Sequence, residues 1–254
     1  MRYLAVIAIA LPWTAFAQAD FNWTGTLSPG QTLEIKGVSG SIHAELASGS
    51  VIEVTAHKTA HHSDPNSVRI EVVPSSEGVT ICAVYPSTGT QVNDCVPGKG
   101  GHSNTRDNDV NVEFMVKLPA GISFAPKAVN GSVVANGLRS DVNASSVNGK
   151  VTVKTTGLAT ATSVNGAIDV AMGVSTWDGA LNFSSVNGSI DVTMPAATGA
   201  DVQASTVNGE LASDFPMTVT GRIGARNMRG RIGAGGHELK LSTVNGAITL
   251  HQGS

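Results

Sequence analysis

The sequence predicts an all-β chain. Within that class it predicts a β-solenoid, a β-helix-like stack of short strands with Val-Asn-Gly corners, preceded by a less regular β-rich part. Three observations carry this. Val-Asn-Gly recurs at 129–131, 147–149, 164–166, 186–188, 207–209 and 244–246, and a repeat of this period marks a stacked architecture. Apolar and polar residues alternate on both sides of each triplet, as in Lys150-Val151-Thr152-Val153 and Leu239-Lys240-Leu241. This is the period-2 signature of half-buried strands. Composition is the third. Charged residues are 14%, aromatics 4% and hydrophobics 41% of 254 residues, with 29 glycines. That excludes a disordered chain, a basic nucleic-acid binder and a coiled coil.

Residues 1–17 read as a secretory leader. Arg2 supplies the positive start, a short apolar run follows, and Ala15-Phe16-Ala17 offers a cleavage site ahead of Gln18. The run falls short of the ~20 residues a spanning helix needs, and no second apolar stretch follows. The expectation is an exported chain without a membrane span, in the periplasm or at the cell surface. Loss of Arg2 moves the formal net charge from −3 to −4, too mild for strong global steering.

Residues 18–126 form an irregular first part of the solenoid. Segments 32–36, 41–46, 51–56, 68–73, 79–85 and 110–118 read as strands, and no segment reads as a helix. Residues 86–109 are rich in Gly, Asn, Asp, Ser and Thr and read as a long loop. Cys82 and Cys95 are the only cysteines. In an oxidising compartment they read as one disulfide, which stabilises by roughly 3 kcal/mol in the chain-entropy model. The rival reading is a metal site with His57, His61, His62 or His102, but no zinc-finger spacing is present.

Residues 127–254 are the regular repeats. Each rung holds two strands joined by an Asn-Gly corner, where Gly takes positive φ freely and Asn tolerates it. The corner residues are Asn130, Gly131, Asn148, Gly149, Asn165, Gly166, Asn187, Gly188, Asn208, Gly209, Asn245 and Gly246. Stacked Asn side chains would form a structural ladder. Asn-Gly is also a hairpin signal, but a hairpin would expose each Val and bury the Ser or Thr before it. The solenoid corner is expected to turn Val inward. Val38-Ser39-Gly40 reads as an early corner, and Met228-Arg229-Gly230 as a degenerate one filling the double-length gap. The last rung ends at Leu250 with little sequence left to cap it, so self-association through that end is expected.

No catalytic or phosphate-binding motif appears, and no cofactor is expected. Asp107-x-Asp109-x-Asn111 begins like a calcium loop but has Val112 where Gly belongs and Leu118 where Glu belongs. Asp169 and Asp191 hold the same outward position in successive rungs. A polar face is the simple reading, and a polysaccharide-active enzyme the alternative. Arg222, Arg226, Arg229 and Arg231 form the strongest charge concentration. They are the candidate binding residues, as a basic strip for an anionic polysaccharide or lipid head group.

Three features together resemble a family of bacterial envelope proteins named "putative adhesins", whose function is unknown. They are Leu33-Glu34-Ile35 followed by Val38-Ser39-Gly40-Ser41-Ile42, the strand ending in Leu118-Pro119-Ala120-Gly121, and the Asn-Gly rungs from Ala128 onwards. The resemblance implies an extracytoplasmic β-solenoid and supplies no catalytic residues. The expectation is a non-enzymatic binding or scaffold module. Its partner would be an envelope polysaccharide, a lipid head group or a protein, and not a nucleic acid. A metal-binding module in the irregular half is a further alternative.

Overall fold

The computed structural model describes residues 21–219 and 226–253, so the expected leader lies outside the described residues. Two stacked β-sheets run the length of the molecule. One holds, in order, Phe21–Gly25, Ile52–Thr59, Asn111–Leu118, Ile42–Leu46, Val133–Leu138, Val151–Thr155, Ile168–Met172, Ile190–Pro195, Ile248–Gly253 and Leu211–Ser213. The other runs Met217–Val219, Asn227–Ile232, Ala200–Asn208, Glu238–Asn245, Ala180–Ser184, Ala159–Asn165, Val142–Asn148, Ser123–Asn130, Thr32–Ser39, Gly78–Val84 and Arg69–Ser75. Each rung gives one strand to each sheet. Pairing through the middle is parallel; antiparallel strands close both ends of the eleven-stranded sheet and one end of the ten-stranded sheet, whose other end, Leu211–Ser213, pairs parallel. The six strands expected in the irregular part are all present, and the one helical turn among the described residues is the short 3-10 segment Pro65–Ser67.

Alternation makes the core. Val151, Val153, Ile168, Val170, Ile190, Val192, Ile248 and Leu250 point inward from the first sheet. Ala161, Phe183, Leu241 and Ala204 form one facing column on the second. Each Leu, Ile or Phe so buried stabilises by roughly 1.5–3 kcal/mol.

The corners differ from expectation in two ways. The valines point outward: Val129, Val147, Val164, Val186, Val207 and Val244 are each about 40–50% exposed. The residue before each is buried instead, Ala128 at the first corner and a Ser or Thr at the other five, where a hydrogen bond satisfies the hydroxyl. The hydroxyls of Ser146, Ser163, Ser185, Thr206 and Thr243 donate to the carbonyls of Gly131, Gly149, Gly166, Gly246 and Gly188 on the neighbouring rung. The corner glycines also do not sit at positive φ, Gly40 excepted. Close stacking demands them. A Cβ on Gly149, Gly166, Gly188, Gly209 or Gly246 would meet the carbonyl of the adjacent corner glycine under 3.0 Å. The expected Asn ladder is present. Asn148 donates to Asn130, Asn165 to Asn148, Asn187 to Asn165, Asn245 to Asn187 and Asn208 to Asn245, all at 2.7–2.8 Å.

That ladder exposes a third difference. The C-terminal rung is not at the end of the stack. Glu238–Asn245 lies between Ala180–Ser184 and Ala200–Asn208, and Ile248–Gly253 lies between Ile190–Pro195 and Leu211–Ser213. Met228-Arg229-Gly230 is not a corner either. It belongs to Asn227–Ile232, which pairs antiparallel with Ala200–Asn208 and carries Met217–Val219 on its far side. This hairpin covers the end of one sheet, and buried Phe215 plugs the core beside it. The reason for expecting self-association at a bare last rung therefore falls away.

The loop 86–109 is clamped to the second sheet. Cys82 and Cys95 form the expected disulfide, with Cα atoms 5.7 Å apart. Lys36 Nζ donates to the carbonyls of Val96, Gly98 and Gly100 at 2.5, 2.9 and 3.1 Å. Buried Glu34 accepts from Lys127 Nζ, from the Gly98 amide and from the Thr80 hydroxyl. Burial pushes the Glu34 carboxyl up, but these three donors outweigh it and hold it below its ordinary value. Burial lowers the Lys36 ammonium, and Glu34 opposes that.

Candidate binding surfaces

The outer face of the eleven-stranded sheet carries three side-chain columns, set by their distance from the corner Asn. Five residues before it stand Asn182, Lys240 and Gln203, and Arg229 continues the row on the antiparallel strand. Three residues before it stand Ser184, Ser242 and Ser205, continued by Asn227. One residue before it stands the exposed Val. The first two rows line a concave trough of about 310 Å³. Its walls offer amides, hydroxyls and two cations, with no carboxylate in the lining.

The expected arginine strip is only partly assembled. Arg222 lies outside the described residues. Arg226 is exposed in the turn before the strand. Arg229 and Arg231 share one strand, two residues apart, rather than occupying adjacent rungs. Arg231 Nε is committed to Asp201 Oδ1 at 3.0 Å, and Asp201 also accepts from the Gly236 amide. The Gly236 amide and the Arg231 guanidinium hold the Asp201 carboxyl below its usual range. Lys240 reaches Glu238 at 2.7 Å. Arg229 has no ion pair among the described residues.

Asp169 and Asp191 are register partners on the outer face of the ten-stranded sheet, as the repeat implied. Each is engaged, Asp169 by Lys150 Nζ at 3.3 Å and Asp191 by the Ser189 hydroxyl at 3.2 Å. Asp109 is not a cation ligand in waiting. Its carboxylate accepts the backbone amides of Ser63, His62 and His61 at 2.8–3.0 Å, and these hold it well below the usual carboxylate range. The rival metal reading of His57, His61, His62 and His102 finds no group of three or more His, Cys, Asp or Glu side chains placed to hold a metal among the described residues.

A second concavity, about 380 Å³, lies between the clamped loop and the same sheet. Val38, Val84, Val129 and Val147 form its floor, with Gly100–His102 on the loop side. No helix among the described residues is long and apolar enough to cross a membrane.

A family model described as Toastrack DUF4097 matches residues 30–251. The chain belongs to the Toastrack DUF4097 family. The matched span includes both the irregular part and the regular rungs of this Toastrack fold. No curated protein sequence matches it. Among solved structures, a "putative cell adhesion protein" from Clostridium sporogenes is similar at 14% identity, with TM-score 0.46, over 92% of this chain and 99% of its own. A "putative adhesin" from Bacteroides fragilis gives 13% identity and TM-score 0.37 over 91% and 96%. Another from Parabacteroides merdae gives 12% and 0.27 over 91% and 95%. Names at this distance describe those proteins and not this chain.

The trough residues of this Toastrack chain other than Arg229 and nearby Lys240 escape a reading by charge clusters. The signal that finds them is offset within the repeat, since Asn182, Gln203 and Lys240 all stand five residues before a corner Asn. Their adjacency follows only from the placement of the C-terminal rung between its neighbours.

Proposed function

We propose that the protein is an exported, non-enzymatic envelope module that binds an anionic polysaccharide along the outer face of its eleven-stranded sheet. The observation that carries this reading is the trough itself. Arg229 stands there without an ion pair among the described residues, one strand beyond Gln203 and two beyond Lys240, among Asn182, Asn227 and three serines. A polyhydroxylated polymer offers donors and acceptors to amides and hydroxyls, and its acid groups suit a guanidinium fork. The flat, parallel-stacked face is rigid, so little order is lost on binding. The residue 1–17 leader and the Cys82–Cys95 disulfide support a periplasmic or surface location. The engaged state of Asp169 and Asp191 supports a binding role over hydrolysis.

The test is binding of purified chain to acidic and neutral envelope glycans at low and high salt. Salt-sensitive binding to the acidic polymer, reduced about tenfold or more in Arg229→Ala/Lys240→Ala, is expected. Binding that ignores both salt and this double substitution would refute the reading.

A further inference from the structure

The outward valines form a stripe that the fold does not explain. In spatial order it runs Val129, Val147, Val164, Val186, Val244, Val207, following the Asn ladder. At one interstrand spacing per rung it is ~24 Å long. Val129 and Val147 floor the groove beside the loop, while the other four are not in its lining. Such a contiguous apolar stripe on a chain with only 14% charged residues is a candidate interface.

We propose that this stripe is the self-association surface of the protein, with a second copy of the same chain packed against it face to face. Three observations select this occupant. The stripe is toothed at the rung spacing, and a second solenoid of this repeat presents teeth at the same spacing. The columns on either side are uncharged over five rungs. They are Ser145, Thr162, Ser184, Ser242 and Ser205 on one side, and Asn148, Asn165, Asn187, Asn245 and Asn208 on the other. Two copies therefore approach without like-charge repulsion, although the chain as a whole is acidic. An anionic lipid surface would call for free Lys or Arg along these flanks; the cation at the sixth rung, Lys127 beside Val129, is taken up by Glu34.

A closed pair requires a two-fold axis. With the two solenoids antiparallel, Val164 and Val186 of one copy meet Val207 and Val244 of the other. The loops that border Val129 and Val147 then bracket the contact at both ends. The contact is narrow, below the standard ~1,600 Å², so a reversible dimer in the micromolar range is expected. The trough row of Asn182, Lys240, Gln203 and Arg229 remains at the rim.

Sedimentation equilibrium of the purified chain from micromolar to about millimolar concentration tests this, at low and high salt. A reversible monomer–dimer equilibrium that holds or tightens at high salt is expected. Val186→Glu/Val244→Glu is expected to weaken it at least tenfold while circular dichroism and melting stay unchanged. Mixing Val186→Cys chain with Val244→Cys chain under oxidation is expected to give the heterodimer crosslink. A strict monomer throughout, or a dimer untouched by the two glutamates, would overturn the proposal. So would a monomer that binds phosphatidylcholine vesicles through these valines. Glycan binding through the trough is read separately, because it weakens with salt and depends on Arg229.

Discussion

At the corner, one glycine carbonyl sets three residues at once. The Gly166 carbonyl accepts the Ser185 hydroxyl, and it lies where a Cβ on Gly188 would go. Backbone stands on the other side as well, so the rung cannot yield without parting the ladder. Gly188→Ala is expected to destabilise by about 2–3 kcal/mol, measured by urea unfolding. Gly49→Ala, with nothing near its Cβ, is expected to be close to neutral. Glu34 gives a pH dependence of definite sign. Its folded pKa is lowered, so its contribution is present above the ordinary carboxylate value of ~4.3 and is lost as pH falls through the folded value. Protection of the Gly98 amide, taken relative to its intrinsic exchange rate, is expected to be lost as pH falls below the ordinary carboxylate value and through the lowered folded value. In Glu34→Gln the loss of protection is expected to be already present at neutral pH. If protection at this amide ignored both pH and the substitution, Glu34 would not be clamping the loop.

At the level of the element, the C-terminal rung behaves unlike a terminal repeat. A terminal repeat touches one neighbour, and its removal weakens a solenoid modestly. Glu238–Asn245 and Ile248–Gly253 each have neighbours on both sides. They bury Leu239, Leu241, Ile248 and Leu250 almost completely. Four such side chains amount to roughly 6–12 kcal/mol of burial, comparable to the ~5–15 kcal/mol that holds a whole domain. Truncation after His237 is expected to abolish cooperative folding beyond residue 180, read by loss of exchange protection there. Retained protection over Ala200–Asn208 would show that this rung stands without its inserted neighbour.

For the whole molecule, one sheet face holds both proposed surfaces, and they answer to different forces. The trough works through charge, which salt screens over a Debye length of ~8–10 Å. The valine stripe works through apolar burial, which salt does not screen. Both surfaces run along the axis because parallel stacking repeats each side chain at the interstrand spacing. The opposite sheet shows the same geometry with less chemistry left open, since Asp169 and Asp191 stack in register but are already engaged. Antiparallel strands close the eleven-stranded sheet, and the last edge of the other sheet is only the three-residue strand Leu211–Ser213 with buried Phe215 beside it, which limits pairing there. This favours association through a side over association through an end.

The repeat itself determined the solenoid class, the rungs that carry a Val-Asn-Gly corner, the Asn ladder and the in-register stacking of Asp169 on Asp191. These follow from offsets along the chain, and alternation makes them local. The disulfide was legible too, because residues 1–17 read as a leader to an oxidising compartment and two cysteines leave one pairing. The direction of the valines was not legible. Burial favours Val over Ser until the neighbouring rung supplies a carbonyl to the Ser hydroxyl, and that carbonyl belongs to a residue 14 to 55 positions away. The same holds for Glu34, whose partner Lys127 is 93 residues distant. Nor could chain order give spatial order at the C-terminus. Every rung has the same corner and the same core pattern, so each fits any gap in the stack equally well by sequence. Only the tertiary structure, in which the chain lays down Ala200–Asn208 one rung ahead and then returns, decides that the last rung fills the interior and brings Lys240 beside Gln203 and Arg229.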